Sequence, residues 1–224
     1  MSPVIRIHPA EDFKERSRSV LNDPGQRKNF RGAMDFLQAK RSAQFPDHDE
    51  RESLRDLGAH IRRYSLAHLP QLLEQLEANL TANGVQVHWA QNGEEANAIA
   101  LGIARRADAK RIIKGKSMVS EEIEFNHAME AAGVEAFESD MGEYIVQLAD
   151  EKPSHIIMPA IHKTKQEIAK LFAEKIPGVD YTEDVDALIQ IGRQVLRRKF
   201  AQADIGLSGV NFCIAETGTL CLVE

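Results

Sequence analysis

The sequence predicts an α/β protein in which a mostly parallel sheet is flanked by helices and preceded by a helical N-terminal extension. From Val85 onward, short apolar runs alternate with stretches of helical periodicity, a pattern typical of parallel strands joined by crossover helices. The first fifty residues lack this alternation and contain the breakers Asp23-Pro24-Gly25 and Phe45-Pro46. We therefore divide the chain into a helical arm, residues 1–50, and an α/β domain, residues 51–224.

Helical periodicity predicts two long helical segments before the sheet. Apolar residues at helical spacing predict one helix from Gln26 to Gln44. A second segment, residues 51–82, carries leucines on one face and is interrupted at Pro70, which is acceptable only where a new helix begins. Asn83-Gly84 then supplies a stop signal.

Apolar runs predict the strands that follow, and amphipathic stretches predict the helices between them. The predicted strands are residues 85–90, 111–114, 134–137 and 155–158, and the predicted helices are residues 94–107, 118–132, 142–149, 163–175 and 182–203. Two last runs, residues 211–215 and 219–223, are joined by Glu216-Thr217-Gly218, a tight turn in which Gly218 can adopt positive φ.

Composition excludes several classes of protein. The chain has 224 residues, of which 43% are hydrophobic and 28% charged, as in ordinary globular proteins. The chain has a net charge of -6 and therefore lacks the positive electrostatic field that attracts phosphate backbones, so no nucleic-acid partner is expected. Neither a membrane span nor a signal peptide at residues 1–10 is visible, which predicts a cytoplasmic protein without membrane insertion. Cys213 and Cys221 lie in apolar runs that suit buried, reduced thiols.

The segment Lys114-Gly115-Lys116-Ser117 follows a predicted strand and opens a predicted helix. Open α/β sheets bind ligands at this edge, and helix N–H groups hold anions there. A phosphate-binding Walker loop would need a glycine where the chain has Lys110, so a nucleotide hydrolase is not supported. We expect a small anionic substrate at this segment, with lysines that only solvate a turn as the alternative.

Other candidates follow neighbouring strands. His162 can titrate near neutral pH, and its spacing from His155 is not a metal signature, so no metal site is predicted. Asp140 and Glu143 follow another strand, and we expect them near Lys116 and His162 around one mouth. A helix cap by Ser139 or Asp140 is the alternative.

Glu216 is the most informative acidic residue, because a carboxylate flanked by buried strands requires either a charge or hydrogen-bond partner or a functional role. An exposed hairpin tip is the alternative. Since loops after parallel strands gather at one edge, we predict that Lys116, Ser117, His162 and Glu216 line one cleft. The basic residues of the stretch 193–199 are interpreted as a solvated helix face.

Three separated motifs carry a resemblance to a known family. They are KGKSMVSEEI (residues 114–123), PSHIIMPAIH (residues 153–162) and NFCIAETGT (residues 211–219). Together they closely resemble the LUD-domain, iron-sulfur subunit of the bacterial lactate-utilization system, and the resemblance runs over nearly the whole chain. It implies a relative of the sugar-phosphate isomerase and CoA-transferase-like α/β fold that acts with the other lactate-utilization subunits in cytoplasmic oxidation of L-lactate to pyruvate.

The residue patterns and the resemblance together give a candidate site. Glu216 and His162 are the catalytic candidates, and the substrate-binding candidates are Lys114, Gly115, Lys116, Ser117, Asp140, Glu143, Asn211, Thr217 and Gly218. The chain departs from the family because it lacks the cysteine-rich, ferredoxin-like C-terminal segment. A four-iron cluster needs about four cysteines and this chain has two. We expect four-iron four-sulfur clusters in the full-length protein and no cofactor in these residues.

The chain stops directly after the apolar run 220–223, which we interpret as the end of a piece of a longer protein, with a strand that ends flush as the alternative. Three functions stay open. The first is a component of an L-lactate-oxidising complex. The second is a CoA or acyl transferase with Glu216 as nucleophile, for which a trapped acyl adduct would be the evidence. The third is a non-catalytic assembly module whose arm wraps a partner or a second copy, as a homo-oligomer.

Overall fold

A computed structural model describes residues 10–151 and 153–223 of the chain, so the first nine residues of the predicted arm lie outside the described part. The helices are α1 (Ala10–Leu21), α2 (Pro24–Gln44), α3 (His48–Ala67), α4 (Leu69–Ala82), α5 (Gly93–Arg106), α6 (Met118–Glu122), α7 (Phe125–Ala131), α8 (Met141–Leu148), α9 (Lys165–Lys175) and α10 (Val185–Ala201). The strands are β1 (Arg111–Gly115), β2 (Glu135–Glu138), β3 (Ile205–Ser208), β4 (Phe212–Ile214) and β5 (Thr219–Cys221). The predicted α/β class is confirmed.

Helices α2 and α3 begin at aspartate caps. The side chain of Asp23 accepts a hydrogen bond from Gln26 N at 2.9 Å ahead of α2, and Asp47 accepts from Asp49 N at 2.8 Å ahead of α3. Each cap satisfies a backbone donor that the helix leaves unpaired. The predicted break near Pro70 is confirmed, because α4 starts at Leu69. Neither α2 nor α3 has a buried residue.

The sheet is parallel, with the strand order β2-β1-β3. In the register of β1 and β2, Ile112 lies opposite Ala136 and Lys114 lies opposite Glu138. Ile112 and Ala136 pack on Phe125 and Met129 of α7 in one buried cluster. A second cluster joins α8, α9 and α10. The antiparallel hairpin β4-β5 follows, as predicted.

Two predicted strands are wrong. Residues 85–90 have no regular secondary structure, and no strand pairs with them in the part of the chain that the structure describes. Residues 155–157 form bends and Met158 has no regular structure, because the N–H groups of Ile157 and Met158 donate to Nδ1 of His155 at 3.1 and 3.2 Å. Backbone donors bound to a local side chain are lost to a strand ladder.

Three features were not predicted. Helix α1 precedes the predicted arm helix, and the predicted helix 118–132 is divided at Glu124, whose φ is +53°. Strand β3 is held beside β1 by Asp204, whose carboxylate accepts from the backbone N–H groups of Lys110 and Arg111 at 2.8 and 2.9 Å.

Over residues 10–151 and 153–223, no helix combines the length and the apolar character that a membrane crossing requires.

Candidate functional site

Two clefts open at the carboxyl ends of β1 and β2, one on each face of the sheet. Successive strand residues point to opposite faces, so Lys114 lies on the same face as Ile112, which packs on α7. Phe137 lies on the other face, where Nζ of Lys199 of α10 is 3.5 Å from its ring centroid. The sheet therefore presents different side chains to the α7 side and to the α10 side.

On the α10 side lies a groove of about 690 Å³, which we call the basic groove. Its charged lining residues are Lys116, Asp140, Arg193 and Arg197. Arg193 and Arg197 are one helical turn apart on α10, so both side chains reach the same side. Three cationic groups face one carboxylate, which is a composition suited to a small anion.

Lys116 and Asp140 are paired inside the basic groove. Lys116 Nζ lies 3.0 Å from Asp140 Oδ2. Burial raises the pKa of Asp140, but the hydrogen bond and charge of Lys116 and the N–H groups of Gly142 and Glu143 outweigh it, so that pKa is lowered. Asp140 is therefore both the predicted helix cap and a groove residue.

The backbone at Lys116 is left-handed, with a φ of +38°. The end of β3 presses on this turn, because a Cβ on Gly209 would lie 2.6 Å from Lys116 O. Ser117 caps the short helix α6 by accepting from Ser120 N at 3.2 Å. Gly115 lies close to the residue that follows β2, since a Cβ on Gly115 would lie 3.0 Å from Ser139 Oγ.

On the α7 side, Lys114 is the centre of a buried charge network. Its side chain is 1% exposed, and its Nζ contacts Glu121 and lies 2.8 Å from Glu138 Oε1. Asn126 Nδ2 also donates to that oxygen, at 2.7 Å. Burial lowers the pKa of Lys114, but the two carboxylates outweigh it and the pKa is raised. Lys114 is thus a buried cation that holds carboxylates.

Glu143 adds a further carboxylate to this network. Burial, the neighbouring Glu138 and the charge of Asp140 raise the pKa of Glu143 to about 7, against the opposing charge of Lys114. Oε2 of Glu138 and Oε2 of Glu143 are both buried and accept no hydrogen bond within the described structure. Two adjacent carboxyl groups in this situation hold a proton readily, so the pair can act as an acid or a base near neutral pH.

The network forms the floor of a second cleft of about 560 Å³, which we call the acidic cleft. Its acidic lining residues are Glu121, Glu122, Glu124, Glu130, Glu138, Glu143, Asp150 and Glu151. Asp140 and Glu143, predicted to share one mouth, thus face different clefts.

His162 lies in a hydrogen-bonded cluster beside the acidic cleft. Its Nδ1 is 2.7 Å from Ser154 Oγ, and its Nε2 is 2.7 Å from Glu151 Oε2. Glu151 also pairs with Lys163 and lines the acidic cleft. His162 is therefore close to the cleft of Glu143 and is not among the residues that line the basic groove.

The Glu216-Thr217-Gly218 turn rests on α4. Asn79 Nδ2 donates to the backbone oxygens of Ala215 and Glu216 at 2.8 and 3.0 Å. Glu216 is exposed, so the hairpin-tip interpretation applies. Asn211 holds the hairpin end, where its Oδ1 accepts from Val223 N at 2.9 Å.

The prediction of a single cleft is wrong, because the structure places the predicted residues at three different locations. Lys116 lines the basic groove, His162 lies by the acidic cleft and Glu216 lies on the turn over α4. Sequence reasoning missed Arg193, Arg197, Glu121 and Glu138. The four-residue spacing of the two arginines was a usable signal, whereas nothing local in the sequence marks Glu138 as buried.

The residues of this chain do not fit an iron-sulfur cluster. Cys213 lies opposite Leu220, and Cys221 lies opposite Phe212, so the two thiols point to opposite faces of the hairpin. Cys213 is exposed and Cys221 half-buried, which corrects the expected burial. Within residues 10–151 and 153–223, no cluster of three or more His, Cys, Asp or Glu side chains could hold a metal ion.

Comparison with known proteins gives consistent matches. The family model of the LUD domain matches residues 73–224. Lactate utilization protein B of Bacillus pumilus (strain SAFR-032) is 43% identical over 215 residues, which are 96% of this chain and 45% of that protein. Uncharacterized electron transport protein YkgF of Escherichia coli (strain K12) is 40% identical over 212 residues, 95% of this chain and 44% of that protein.

A third relative, lactate utilization protein B of Bacillus cereus (strain AH820), is 44% identical over 172 residues, 77% of this chain and 36% of that protein. The chain thus spans less than half the length of these curated relatives. No solved structure matches the chain.

Proposed function

We propose, since the chain belongs to the LUD-domain family, that it serves lactate utilization by binding a small carboxylate in the basic groove. The observation that carries the proposal is the convergence of Lys116, Arg193 and Arg197 at the carboxyl end of the sheet. The names of the relatives, lactate utilization protein B among them, support lactate as the carboxylate, and we propose its L form.

The chemistry of the groove suits a hydroxy acid. Ammonium and guanidinium groups donate charge-assisted hydrogen bonds to a carboxylate. Asp140, whose pKa is lowered, stays ionised at neutral pH and accepts the hydrogen bond of an adjacent hydroxyl. A ligand with a carboxylate beside a hydroxyl therefore matches both kinds of group, whereas a dicarboxylate would place a negative charge against Asp140.

We place the redox chemistry outside this chain. Oxidation of lactate to pyruvate releases two electrons and two protons, and the electron-transport name of one relative supports an electron-carrying role for the longer protein. Four-iron four-sulfur clusters in the full-length protein would carry those electrons, on residues other than these 224. The protein would act in the cytoplasm with the other lactate-utilization subunits.

A domain exchange tests this proposal in cells. In lactate utilization protein B of Bacillus pumilus, the region that matches this chain is replaced by the chain itself, and growth on L-lactate is measured in a strain that lacks the native protein. We expect the chimera to restore growth and the chimera with Lys116→Ala to fail. A chimera that is folded and present, yet supports no growth, would overturn the proposal.

A second candidate function is assembly, which the exposed faces of the N-terminal helices favour. On α3, Leu57, Ile61 and Tyr64 are 56%, 54% and 57% exposed, and their spacing places them on one side of the helix. Apolar stripes of this kind mark surfaces that bind a partner. The two functions are compatible, because α3 is outside both clefts.

A further inference from the structure

Three side chains beside the acidic cleft place a hydroxyl, an imidazole and a carboxylate in series. Ser154 Oγ is 2.7 Å from Nδ1 of His162, and Nε2 of His162 is 2.7 Å from Oε2 of Glu151. A hydroxyl and an imidazole within 2.6 to 3.2 Å, with the imidazole oriented by a third group, are the geometric signature of an activated serine. The cluster is distinct from the basic groove.

The direction of the hydrogen bonds follows from the chemistry of the three groups. Burial raises the pKa of Glu151, but Lys163 and His162 outweigh it and the pKa is lowered, so Glu151 is ionised at neutral pH and only accepts. Nε2 must therefore carry the ring proton. In the neutral ring, Nδ1 is then an acceptor, and the Ser154 hydroxyl donates to it.

The imidazole of the three groups is shielded from solvent, whereas the serine hydroxyl is accessible to a substrate. The side chain of His162 is 15% exposed, and that of Glu151 is 39% exposed. Ser154 is exposed, so its oxygen can reach a substrate while the imidazole is shielded. The turn that carries Ser154 is fixed by the bond from Ser154 N to Pro159 O at 3.0 Å.

We propose that Ser154 is the nucleophile of an acyl-transfer site, with His162 as its general base and Glu151 as the residue that orients the imidazole. The substrates are esters or thioesters with a neutral or positively charged acyl group, because Glu151 and the adjacent Pro153 belong to the lining of the acidic cleft. The same lining repels strongly anionic acyl donors. This assigns acyl transfer to Ser154, whose hydroxyl lies beside an imidazole, and not to Glu216 on the turn over α4.

The reaction balances without an oxidant or a cofactor. Ser154 Oγ forms a bond to the carbonyl carbon of the ester, and its proton passes to Nδ1 of His162. The bond between the carbonyl carbon and the leaving oxygen or sulfur breaks, and His162 returns the proton to that atom. Water then cleaves the acyl-serine, which releases a carboxylic acid and restores the serine hydroxyl.

A fluorophosphonate probe tests the nucleophile directly, because it forms a bond to an activated serine with loss of fluoride. The 224-residue chain is incubated with the probe, and the modified residue is identified by peptide mass spectrometry. We expect a single adduct on Ser154. His162→Gln and Glu151→Gln should slow its formation, by about a hundredfold for His162→Gln, since a general base contributes roughly 10² to 10⁴ in rate.

Two further variants make the result decisive. Ser154→Ala should form no adduct, and Ser65→Ala, which removes a hydroxyl bound to Ile61 O on α3, should label like the wild type. Hydrolysis of p-nitrophenyl acetate should follow the same order among the variants. Absence of the adduct from folded wild-type protein, or an adduct rate unchanged by His162→Gln, would overturn the proposal.

Discussion

Lys114 and Glu138 are register partners on neighbouring parallel strands, and their side chains meet at 2.8 Å with 1% and 5% exposure. A buried cation and a buried carboxylate stabilise a fold only while both are present, since either one alone is a desolvated charge. Their pairing links the sheet register to the floor of the acidic cleft, which Glu138 lines.

We expect Lys114→Met to lower the free energy of unfolding by about 3 kcal/mol at pH 7, because breaking a buried ion pair on one side costs about 3 to 5 kcal/mol and protonation of Glu138 relieves part of it. Urea unfolding measures the change. Lys170→Met is the control, since that exposed lysine lies 3.8 Å from Glu174 and such surface pairs contribute under about 1 kcal/mol. Equal losses in the two variants would contradict a structural role for Lys114.

Glu143 makes stability depend on pH. Its pKa is raised from 4.5 to about 7, so the folded chain binds more protons than the unfolded chain between these values. The resulting stabilisation is complete below about pH 4.5 and is lost as the pH rises through about 7. Solvent screening of this partly exposed group limits the effect to the order of 1 kcal/mol.

Urea unfolding at pH 5 and pH 8 therefore distinguishes Glu143→Gln from the wild type. We expect the variant to lose less stability than the wild type between the two pH values. Glu122→Gln, at an exposed position of the same cleft, should retain the wild-type difference. A Glu143→Gln variant with that same difference would show that Glu143 does not carry the raised pKa.

Gly218 is expected to tolerate no side chain. Its φ is +65°, and an added Cβ would lie 2.6 Å from the backbone carbon of Asn79. Gly84 has a φ of +84° but nothing within 4 Å of its Cβ position, so Gly84→Ala measures backbone strain alone, about 1 kcal/mol. We expect Gly218→Ala to cost at least about 2 kcal/mol in chemical denaturation. Equal losses of stability in Gly218→Ala and Gly84→Ala would show that the hairpin does not pack closely against α4 at Gly218.

The apolar stripe of α3 should mediate association. We expect the wild-type chain to associate in sedimentation velocity as its concentration rises, and the double variant Leu57→Glu, Ile61→Glu to sediment as a monomer. Circular dichroism checks that the variant keeps its helices. Association that is unchanged by the two substitutions would place the contact elsewhere, for example at the exposed hairpin residue Phe212, which is 65% exposed.

Local patterns were sufficient for part of the fold. The apolar pair Ile112-Ile113 between polar flanks predicts β1, and the same strand end predicts Lys116 at a ligand-binding edge. The apolar run at His155 gives a wrong strand prediction, because Ile156 and Ile157 are 69% and 76% exposed and the ring of His155 accepts a hydrogen bond from the backbone. Apolar residues on an exposed turn and in a buried strand give the same sequence pattern.

The rest of the site depends on contacts between distant segments. Glu138 is buried because the parallel register places it beside Lys114, 24 residues earlier. Arg193 and Arg197 reach the basic groove because α10 packs over the sheet, where Lys199 meets Phe137. Neither register nor helix docking can be read from local periodicity, so the arginines resembled an ordinary solvated face.

Calorimetric titration of the chain with L-lactate measures ligand binding to the basic groove itself. We expect saturable binding to the wild type and a loss of about 1.5 to 3 kcal/mol, or roughly 10- to 150-fold in affinity, in Lys116→Ala and Arg197→Ala. Lys170→Ala, which changes a lysine outside the groove, should bind like the wild type. No binding to the wild type, or the same affinity in all four proteins, would contradict the assignment of the basic groove as the lactate site.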